Sequence, residues 1–355
     1  MRILRVAQTM YPDVKGGGAY HVHAMSRDQA EMGHDVTVLT VRTDPDLPHV
    51  EERDGYTVVR YDPTVSLLGN DISAGIAQFL ADADDYDVIH AHSHLYFSTN
   101  LAALKRRLGD VPLAITNHGL YSQNAPEWVF DLYLQTIGRW TFNQADVVFC
   151  YTEEDRERVR QFGVGSRIEV IPNGIDTERF HPEGEITERI NHDGPVVLFV
   201  GRLVEGKRPR DAVEAVSKVA KDRNVKLYVA GEGPLAEELS GEQVKLLGQL
   251  PYGEMPAVYR AADALVLPSR AEGLPRTVLE AMASRVPVVV SDLEQVAPVI
   301  GDGGVTAPVG DVKRFTDGLR RVLNGDVSDP RSQVVGQFDW TDTVKQTTQA
   351  LEKLS

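Results

Sequence analysis

Cysteine is nearly missing from this chain: Cys150 is the only one in 355 residues. That excludes an intrachain disulfide and a cysteine-rich zinc site. Cys150 closes the apolar run Val147-Val148-Phe149, a place that suits burial better than catalysis. Long hydrophobic runs are missing as well, and nothing approaches the ~18–20 apolar residues that cross a bilayer. The opening Met1-Arg2-Ile3-Leu4-Arg5-Val6 reads as a strand, without the apolar core and small-residue cleavage site of a signal peptide. A cytoplasmic location is therefore expected. Lysine is scarce, 10 against 27 arginines, and the formal net charge is −15. So acidic a chain lacks the basic footprint of a general nucleic-acid binder.

What the chain does have is alternation. Short apolar runs are expected as strands at 3–8, 36–40, 58–61, 88–92, 113–116, 147–150 and 168–171, with amphipathic helical patterns between most of them. The pattern at 19–32 stops at Gly33 and the one at 99–108 at Gly109, each a usual helix end. After a charged, strand-poor stretch at 181–194 the alternation resumes, at 196–200, 226–230, 244–247, 264–267, 286–291 and 304–307. Single cores split beyond ~250–300 residues. The expected organisation is thus an N-terminal domain over 1–180, a C-terminal domain over 181–340 and a final helix over 341–355. The fold class is α/β, two doubly wound parallel sheets. Such sheets bind ligands at the carboxyl ends of their strands, so the loops there carry the candidate chemistry.

The most informative stretch is Glu272-Gly273-Leu274-Pro275-Arg276-Thr277-Val278-Leu279-Glu280. It follows the apolar run Ala264-Leu265-Val266-Leu267, so Glu272 belongs on a loop at a strand's carboxyl end and Glu280 about a turn into the next helix. Two acceptors in that place suit a hydroxyl-rich ligand; a solvated loop acid and a surface helix acid are equally consistent with the spacing. Strand 196–200 runs into Gly201-Arg202-Leu203-Val204-Glu205-Gly206-Lys207. Gly201 permits a tight exit, and Arg202 and Lys207 are placed to converge on a diphosphate, or else are two exposed cations. Gly231-Glu232-Gly233-Pro234 and Gly248-Gln249-Leu250-Pro251 offer backbone edges for a nucleobase, or plain turns. Gly16-Gly17-Gly18 opens a helix, where backbone N–H groups and the helix dipole favour an anion. It has neither the G-x-G-x-x-G spacing nor a Walker lysine. Asn117-His118-Gly119 puts an imidazole at a strand's carboxyl end, free to bond a sugar or handle a proton, or to serve structure. His90, His92 and His94 alternate, which puts all three on one strand face. Same-face neighbours are ~7 Å apart, two rises of ~3.3 Å, too wide for a shared metal, so no metal site is expected.

Taken together these segments, with Pro172-Asn173-Gly174-Ile175-Asp176 and Phe180, resemble the retaining nucleotide-sugar glycosyltransferases of glycosyltransferase family 4, which have the GT-B fold. The resemblance spans nearly the whole chain in the right order. It implies two Rossmann-like domains facing across a cleft, with the donor held mainly by the second. By resemblance, Arg202 and Lys207 hold the donor diphosphate, Glu280 the ribose and Glu272 the sugar hydroxyls. The backbones of Gly201, Gly233, Gly273, Leu274 and Pro275 help, and Thr277 and Val278 lie where a helix amino terminus approaches phosphate. Gly16, Gly17 and Gly18 close over the donor and His118 contacts the sugar. The same resemblance implies retention of configuration and no required metal; no Asp-x-Asp motif lies in the expected nucleotide region. The substrate is then a nucleoside-diphosphate sugar, UDP- or GDP-linked, with no cofactor.

Other chemistries remain open at this point. A glycosidase needs paired carboxylates but not Arg202 and Lys207. A nucleotide-sugar epimerase or a non-catalytic nucleotide-sugar binder fits the same residues. The acceptor is the least constrained element. Residues 121–142 are rich in aromatic and apolar side chains, among them Trp128, Phe130, Tyr133, Trp140 and Phe142, and Lys105-Arg106-Arg107 lies upstream. The segment suits a buried helix, an acceptor pocket or a lipid surface. A buried helix is the default reading of the segment and a solvated helix end that of the basic cluster; a lipid-linked glycan is the leading expectation for the acceptor, with a peripheral contact with the inner membrane face as the alternative.

Overall fold

The computed structural model describes residues 1–67, 69–120 and 127–355; residues 121–126, the start of the aromatic segment, lie outside the described residues. The chain divides into two compact units, Met1–Pro172 with Asp342–Ser355, and Asn173–Thr341. Among the described residues no helix is long and apolar enough to cross a membrane.

The first unit is built on an eight-stranded sheet. Its strands are β1 (Arg2–Val6), β2 (Asp35–Val41), β3 (Val50–Arg53), β4 (Tyr56–Tyr61), β7 (Val88–His92), β8 (Leu113–Thr116), β9 (Val147–Cys150) and β10 (Arg167–Val170), with β5 (Val65–Leu67) and β6 (Asn70–Ile72) as a separate hairpin. The spatial order is β10-β9-β8-β7-β1-β2-β4-β3. Every pair is parallel except the edge pair β3–β4. Parallel strands are covered on both faces, so they read as unbroken apolar runs. Strand β2 is buried from Val36 to Val41 and β8 throughout. One face packs Leu4, Val6, Leu39, Ile89 and Leu113; the other packs Ile3, Val36, Val38, Val58 and Phe149.

The chain's end belongs to that second face. The helix Trp340–Glu352 runs from the second unit into the first, and Ala350 and Leu351 sit in the core beside Ile3 and Val36. Gln29 Nε2 donates to Thr348 Oγ1 at 2.9 Å, and Thr343 Oγ1 donates to the Pro172 carbonyl at 2.8 Å. Gln29 also accepts from the buried Arg5, whose other nitrogen donates to Ser26 Oγ at 2.7 Å. With neutral partners and no carboxylate in reach, burial brings the Arg5 guanidinium down to about 9.

The second unit holds β11 (Val196–Val200), β12 (Lys226–Ala230), β13 (Val244–Gly248), β14 (Ala264–Leu267), β15 (Val288–Ser291) and β16 (Gly304–Ala307). They form one parallel sheet in the order β13-β12-β11-β14-β15-β16. Counted within the unit this is 3-2-1-4-5-6, the dinucleotide-fold order, and its direction reverses between β11 and β14. Helices with one apolar stripe cover the sheet. In Val312–Leu323, Phe315, Leu319 and Val322 are buried, and the Asp311 side chain caps the start by accepting from Arg314 N.

Every strand expected from the sequence is present. Three were not expected: β3, β5 and β6. Strand β3 reads Val-Glu-Glu-Arg and pairs on one side only, so it carries no apolar run. The histidine alternation also ends sooner than expected. Ser93 takes a left-handed φ of 66° at the exit of β7, which turns His94 off the shared face. His90 and His92 stay together with ring centroids 4.4 Å apart, while His94 stacks on Phe142 at 4.6 Å.

Removing the Leu351 side chain (Leu351→Ala) empties a fully buried site that only the chain terminus fills. The expected loss is about 2–5 kcal/mol, measured by urea unfolding. The exposed neighbour Lys353→Ala should stay within about 0.5 kcal/mol of the parent.

Candidate functional site

The strand reversal in the second unit sets the exits of β11 and β14 side by side. The β11 exit is Gly201 to Lys207, closed by a short turn at Glu205–Lys207. The β14 exit leads through Glu272 into the helix Arg276–Ala283. Arg270 N donates to the Gly206 carbonyl at 2.8 Å and binds the two loops together. Across that junction Lys207 Nζ forms an ion pair with Glu272 Oε1. Glu272 is buried and Lys207 partly so. The Gln295 amide holds the Glu272 carbonyl from the far side. Arg202 is exposed, with no ion-pair partner among the described residues. One cation is thus held by the acid, and the other points to solvent.

Glycine is required where these loops touch. Gly231 has φ 151°, and a Cβ there would lie 1.9 Å from the Gly201 carbonyl oxygen. Gly233 has φ 156°, and a Cβ there would meet the Leu203 oxygen at 2.4 Å. Leu203 N donates to the Glu232 carbonyl at 2.8 Å, so the β12 loop lies directly on the β11 loop. Gly273, Leu274 and Pro275 are buried ahead of the helix start; Thr277, in its first turn, is partly exposed and Val278 is fully buried. The first N–H groups of a helix have no partner within it, so this end presents donors and a positive dipole end to an anion.

Glu280 is almost fully buried and well held. Tyr252 OH donates to its Oε1 and Tyr259 OH to its Oε2, both at 2.9 Å. Arg276 Nε lies 3.7 Å from Oε1, and Arg276 also donates to the Gly174 carbonyl at 2.8 Å. Burial first, and the neighbouring Glu280 second, push the Tyr259 hydroxyl well above its usual range, so it stays a neutral donor. A carboxylate offers about four lone-pair sites. Two tyrosine bonds leave capacity on each oxygen for ligand hydroxyls. Phe180 packs edge-on against both tyrosines.

In the first unit, Gly16, Gly17 and Gly18 lie exposed at the start of the helix Gly17–Glu31. A Cβ on Gly18 would stand 3.9 Å from His118 Nδ1. Both His118 nitrogens have protein partners: Tyr151 OH lies 2.8 Å from Nδ1 and His92 Nδ1 lies 3.1 Å from Nε2. A sugar hydroxyl reaching either nitrogen has to displace one of them. Burial lowers the His118 imidazole to about 4, so it is neutral at pH 7. His21 abuts the same ring with centroids 5.4 Å apart. Among the described residues no group of three or more His, Cys, Asp or Glu side chains can hold a metal ion. Cys150 is buried and its thiol is pushed up to about 12, first by burial.

The residues expected in the second unit therefore gather at the β11 and β14 exits, and Gly18 meets His118 in the first. His92 was noted only within the alternation of His90, His92 and His94, and Tyr252, Tyr259, Gln295 and Tyr151 were not expected. Each is a single side chain on a separate element, with no motif to mark it. Among them only the Tyr259 position carried a signal, an aromatic on the inward stripe of the helix Met255–Arg260.

Residues 15–179 match the family described as Glycosyltransferase Family 4, and residues 194–325 match Glycosyl transferases group 1. A glycogen synthase of Mycobacterium tuberculosis is 29% identical over 98% of this chain and 94% of its own length. A phosphatidyl-myo-inositol mannosyltransferase of Mycolicibacterium smegmatis is 27% identical over 97% of this chain and 92% of its own. Among solved structures, a sucrose-phosphate synthase from Thermosynechococcus elongatus superposes with a TM-score of 0.86 at 21% identity, covering 99% of this chain and 98% of that one. HepE of Anabaena, solved with UDP and glucose, gives 0.78 at 18% identity, covering 99% of each.

Tyr259→Phe should leave one oxygen of a buried carboxylate short of a donor, at a cost of about 1–3 kcal/mol in unfolding free energy, read from urea curves. The buried histidines set a pH dependence. His90 and His92 are held well below their usual range and His94 near 3, in each case chiefly by burial. A base whose folded value is depressed keeps its stabilising contribution above the unfolded value of ~6.5 and loses it as pH falls. His94 alone should cost roughly 2 kcal/mol between pH 7 and pH 5. The buried Asp155, raised to about 6 by burial, opposes this in part. Thermal melts of the chain across pH 5–7 should fall toward acid; a flat or rising melting temperature would contradict the burial argument.

Proposed function

The chain belongs to glycosyltransferase family 4, and on that premise we propose the residues that hold its nucleotide-sugar donor and the class of its acceptor. It is a retaining glycosyltransferase with a GT-B fold, transferring a sugar from a nucleotide sugar. The observation that carries the assignment is the junction of β11 and β14. An exposed Arg202, without an ion-pair partner among the described residues, and an acid-held Lys207 stand there together beside a helix amino terminus. Arg202 grips the donor diphosphate as a planar fork. Lys207 has three donors, so it can keep Glu272 and still bond phosphate. Glu272 holds the hydroxyls of the sugar, assisted by the backbone of Gly273, Leu274 and Pro275. Thr277 and Val278 face the phosphates through the helix start. Glu280 takes the ribose with the lone pairs that Tyr252 and Tyr259 leave. The loop glycines Gly201 and Gly233 bring backbone close to the nucleotide, and in the first unit Gly16 to Gly18 and His118 are the residues that the family resemblance assigns to the sugar.

Charge then dictates the mechanism. Breaking the anomeric bond builds negative charge on the diphosphate, which fixed cations and N–H groups stabilise. The acceptor hydroxyl attacks the face the diphosphate leaves. Its proton passes to the departing phosphate oxygen, and configuration is retained. Glu272 orients the sugar and does not attack it. UDP- or GDP-sugars are the proposed donors, and UDP accompanies glucose in the HepE structure. The acceptor is proposed to be a lipid-linked glycan at the inner membrane face. The phosphatidyl-myo-inositol mannosyltransferase, named for a lipid acceptor, supports it; the glycogen synthase shows that relatives of this length also carry names with other acceptors.

A thermal-shift screen of UDP-, GDP- and ADP-sugars tests the donor assignment. One nucleotide should raise the melting temperature, and Arg202→Ala and Glu280→Gln should each abolish the rise. Retention of the shift in both variants would overturn the site. Arg202→Ala should also lower kcat on the order of 10²–10³-fold. Incubation of labelled donor without acceptor should leave the sugar's stereochemistry unchanged, and rapid appearance of an epimer would replace transfer by epimerisation. Donor binding with no turnover across an acceptor panel would mark a sensor.

A further inference from the structure

One buried cation of the second unit stands at the wrong end of its helix. Arg276 is the first residue of the helix Arg276–Ala283 and is only 6% exposed. A cation there opposes the helix dipole. Arg276 also precedes Glu280 by four residues, and a cation ahead of an acid is the weaker order for such a helix pair. Burying a guanidinium is costly unless its donors are met. The helix itself does not favour Arg276; its partners outside the helix do.

Those partners belong to separate elements. Nη1 donates to the Gly174 carbonyl at 2.8 Å and to Asn173 Oδ1 at 3.3 Å. Nη2 donates at 3.3 Å to Tyr252 OH, the hydroxyl that donates in turn to Glu280 Oε1. Nε faces the same Oε1 at 3.7 Å. The guanidinium carbon lies over the Trp340 ring, 5.4 Å from its centroid. A planar fork reaches all of these at once, which the point charge of an ammonium does not. Asn173, Gly174 and Trp340 lie on the two stretches by which the chain enters and leaves this unit, at Asn173 and at Thr341. The stretches pair through Ile175: its N–H donates to the Phe338 carbonyl at 2.9 Å, and its carbonyl accepts from Trp340 N at 3.0 Å. Further along the entering stretch, Arg179 lies over the Tyr252 ring at 4.7 Å and Phe180 packs edge-on against it. The paired stretches and the acid Glu280 thus share two side chains, Arg276 and Tyr252.

We propose that Arg276 is a positioning residue of the donor site: it holds Glu280 and Tyr252 in their ribose-binding arrangement from the paired stretches at Ile175 and Trp340, so that ribose binding and the order of those stretches form one equilibrium. The proposal rests on the reading of Glu280 as the acid that takes the ribose. Arg276 acts through Glu280 and Tyr252. A ligand that needs the acid in that arrangement stabilises the stretches, and loosening the stretches weakens the ligand by the same factor. The turn motif Pro172-Asn173-Gly174-Ile175-Asp176, which the donor contacts leave without a part, gains one here as the anchor of the arginine.

The test is the preference of the full chain for a ribonucleotide over its 2′-deoxy form, measured by calorimetry with UDP, GDP and ADP. The nucleotide that binds should show a preference of roughly tenfold or more, as for a hydrogen bond to a charged group. Arg276→Met should remove most of that preference, and Arg276→Lys, which has the charge without the fork, should restore only part of it. Amide hydrogen exchange gives a second reading. The nucleotide should slow exchange at Ile175 and Trp340 in the parent and leave it unchanged in Arg276→Met. Asn173→Ala takes one partner from Arg276 and leaves Glu280 and both tyrosines in place. It should lower the preference in the same direction, and it decides the matter where Arg276→Met does not fold. A merely structural Arg276 predicts lower melting temperatures in these variants with the ribose preference intact, and that result overturns the proposal. Slowed exchange that persists in Arg276→Met overturns it as well. Glu280→Gln separates this proposal from the donor reading. No ribose preference in the parent, or one that survives in Glu280→Gln, overturns the ribose assignment. A preference lost in Glu280→Gln and kept in Arg276→Met and Asn173→Ala overturns only the role of Arg276.

Discussion

The second unit's site depends on one constraint, the reversal of strand order between β11 and β14. These neighbours are separated in the chain by two whole strands, yet they pair in parallel from Val197 and Leu198 to Ala264 and Leu265. On each side of them the helices cross to opposite faces, so a crevice opens at the carboxyl ends where the two meet. That opening is where Lys207 reaches Glu272 and where the helix Arg276–Ala283 begins. A site made of two loops needs them at a fixed separation. The hydrogen bond from Arg270 to Gly206 and the contacts of Gly231 and Gly233 with the β11 loop provide it.

Charge in this site is arranged as pairs with capacity to spare. Glu272 is buried, and a buried carboxylate without a partner is costly. Lys207 neutralises it while keeping donors for a phosphate. Glu280 is handled differently: two tyrosine hydroxyls and a nearby guanidinium solvate it inside the protein. The first unit takes another course, keeping His90, His92, His94 and His118 neutral by burial. His92, His118 and Tyr151 form a chain of hydrogen bonds with no carboxylate in it.

Much of this was readable in the residues. Strands such as Val147 to Cys150 and Val196 to Val200 are unbroken apolar runs, because a parallel sheet buried on both faces favours apolar side chains at every position. The β11 and β14 loops were readable because glycine, proline and charged residues interrupt those runs abruptly. The edge strand β3 was not, since half its surface faces solvent and Glu51 and Glu52 are acceptable there. The turn of His94 away from His90 and His92 depended on one left-handed residue, Ser93, whose type gives no notice of it. The π turn at Leu134–Gly138 was likewise hidden, because a helical period with one extra residue looks like an ordinary break in phase.

Local order along the chain was enough for the two-unit α/β architecture, the strand ends that bear ligand chemistry and the identity of the charged residues on them. Periodicity and turn composition act between near neighbours, and one sequence records them fully. What arose only on folding was partnership. Lys207 and Glu272 are 65 residues apart, and Tyr252 and Glu280 are 28 apart. Leu351 closes a core begun at Ile3. Pairs so distant are set by sheet order and by which helix covers which face. The packing of the whole molecule settles those, and no stretch of residues announces them.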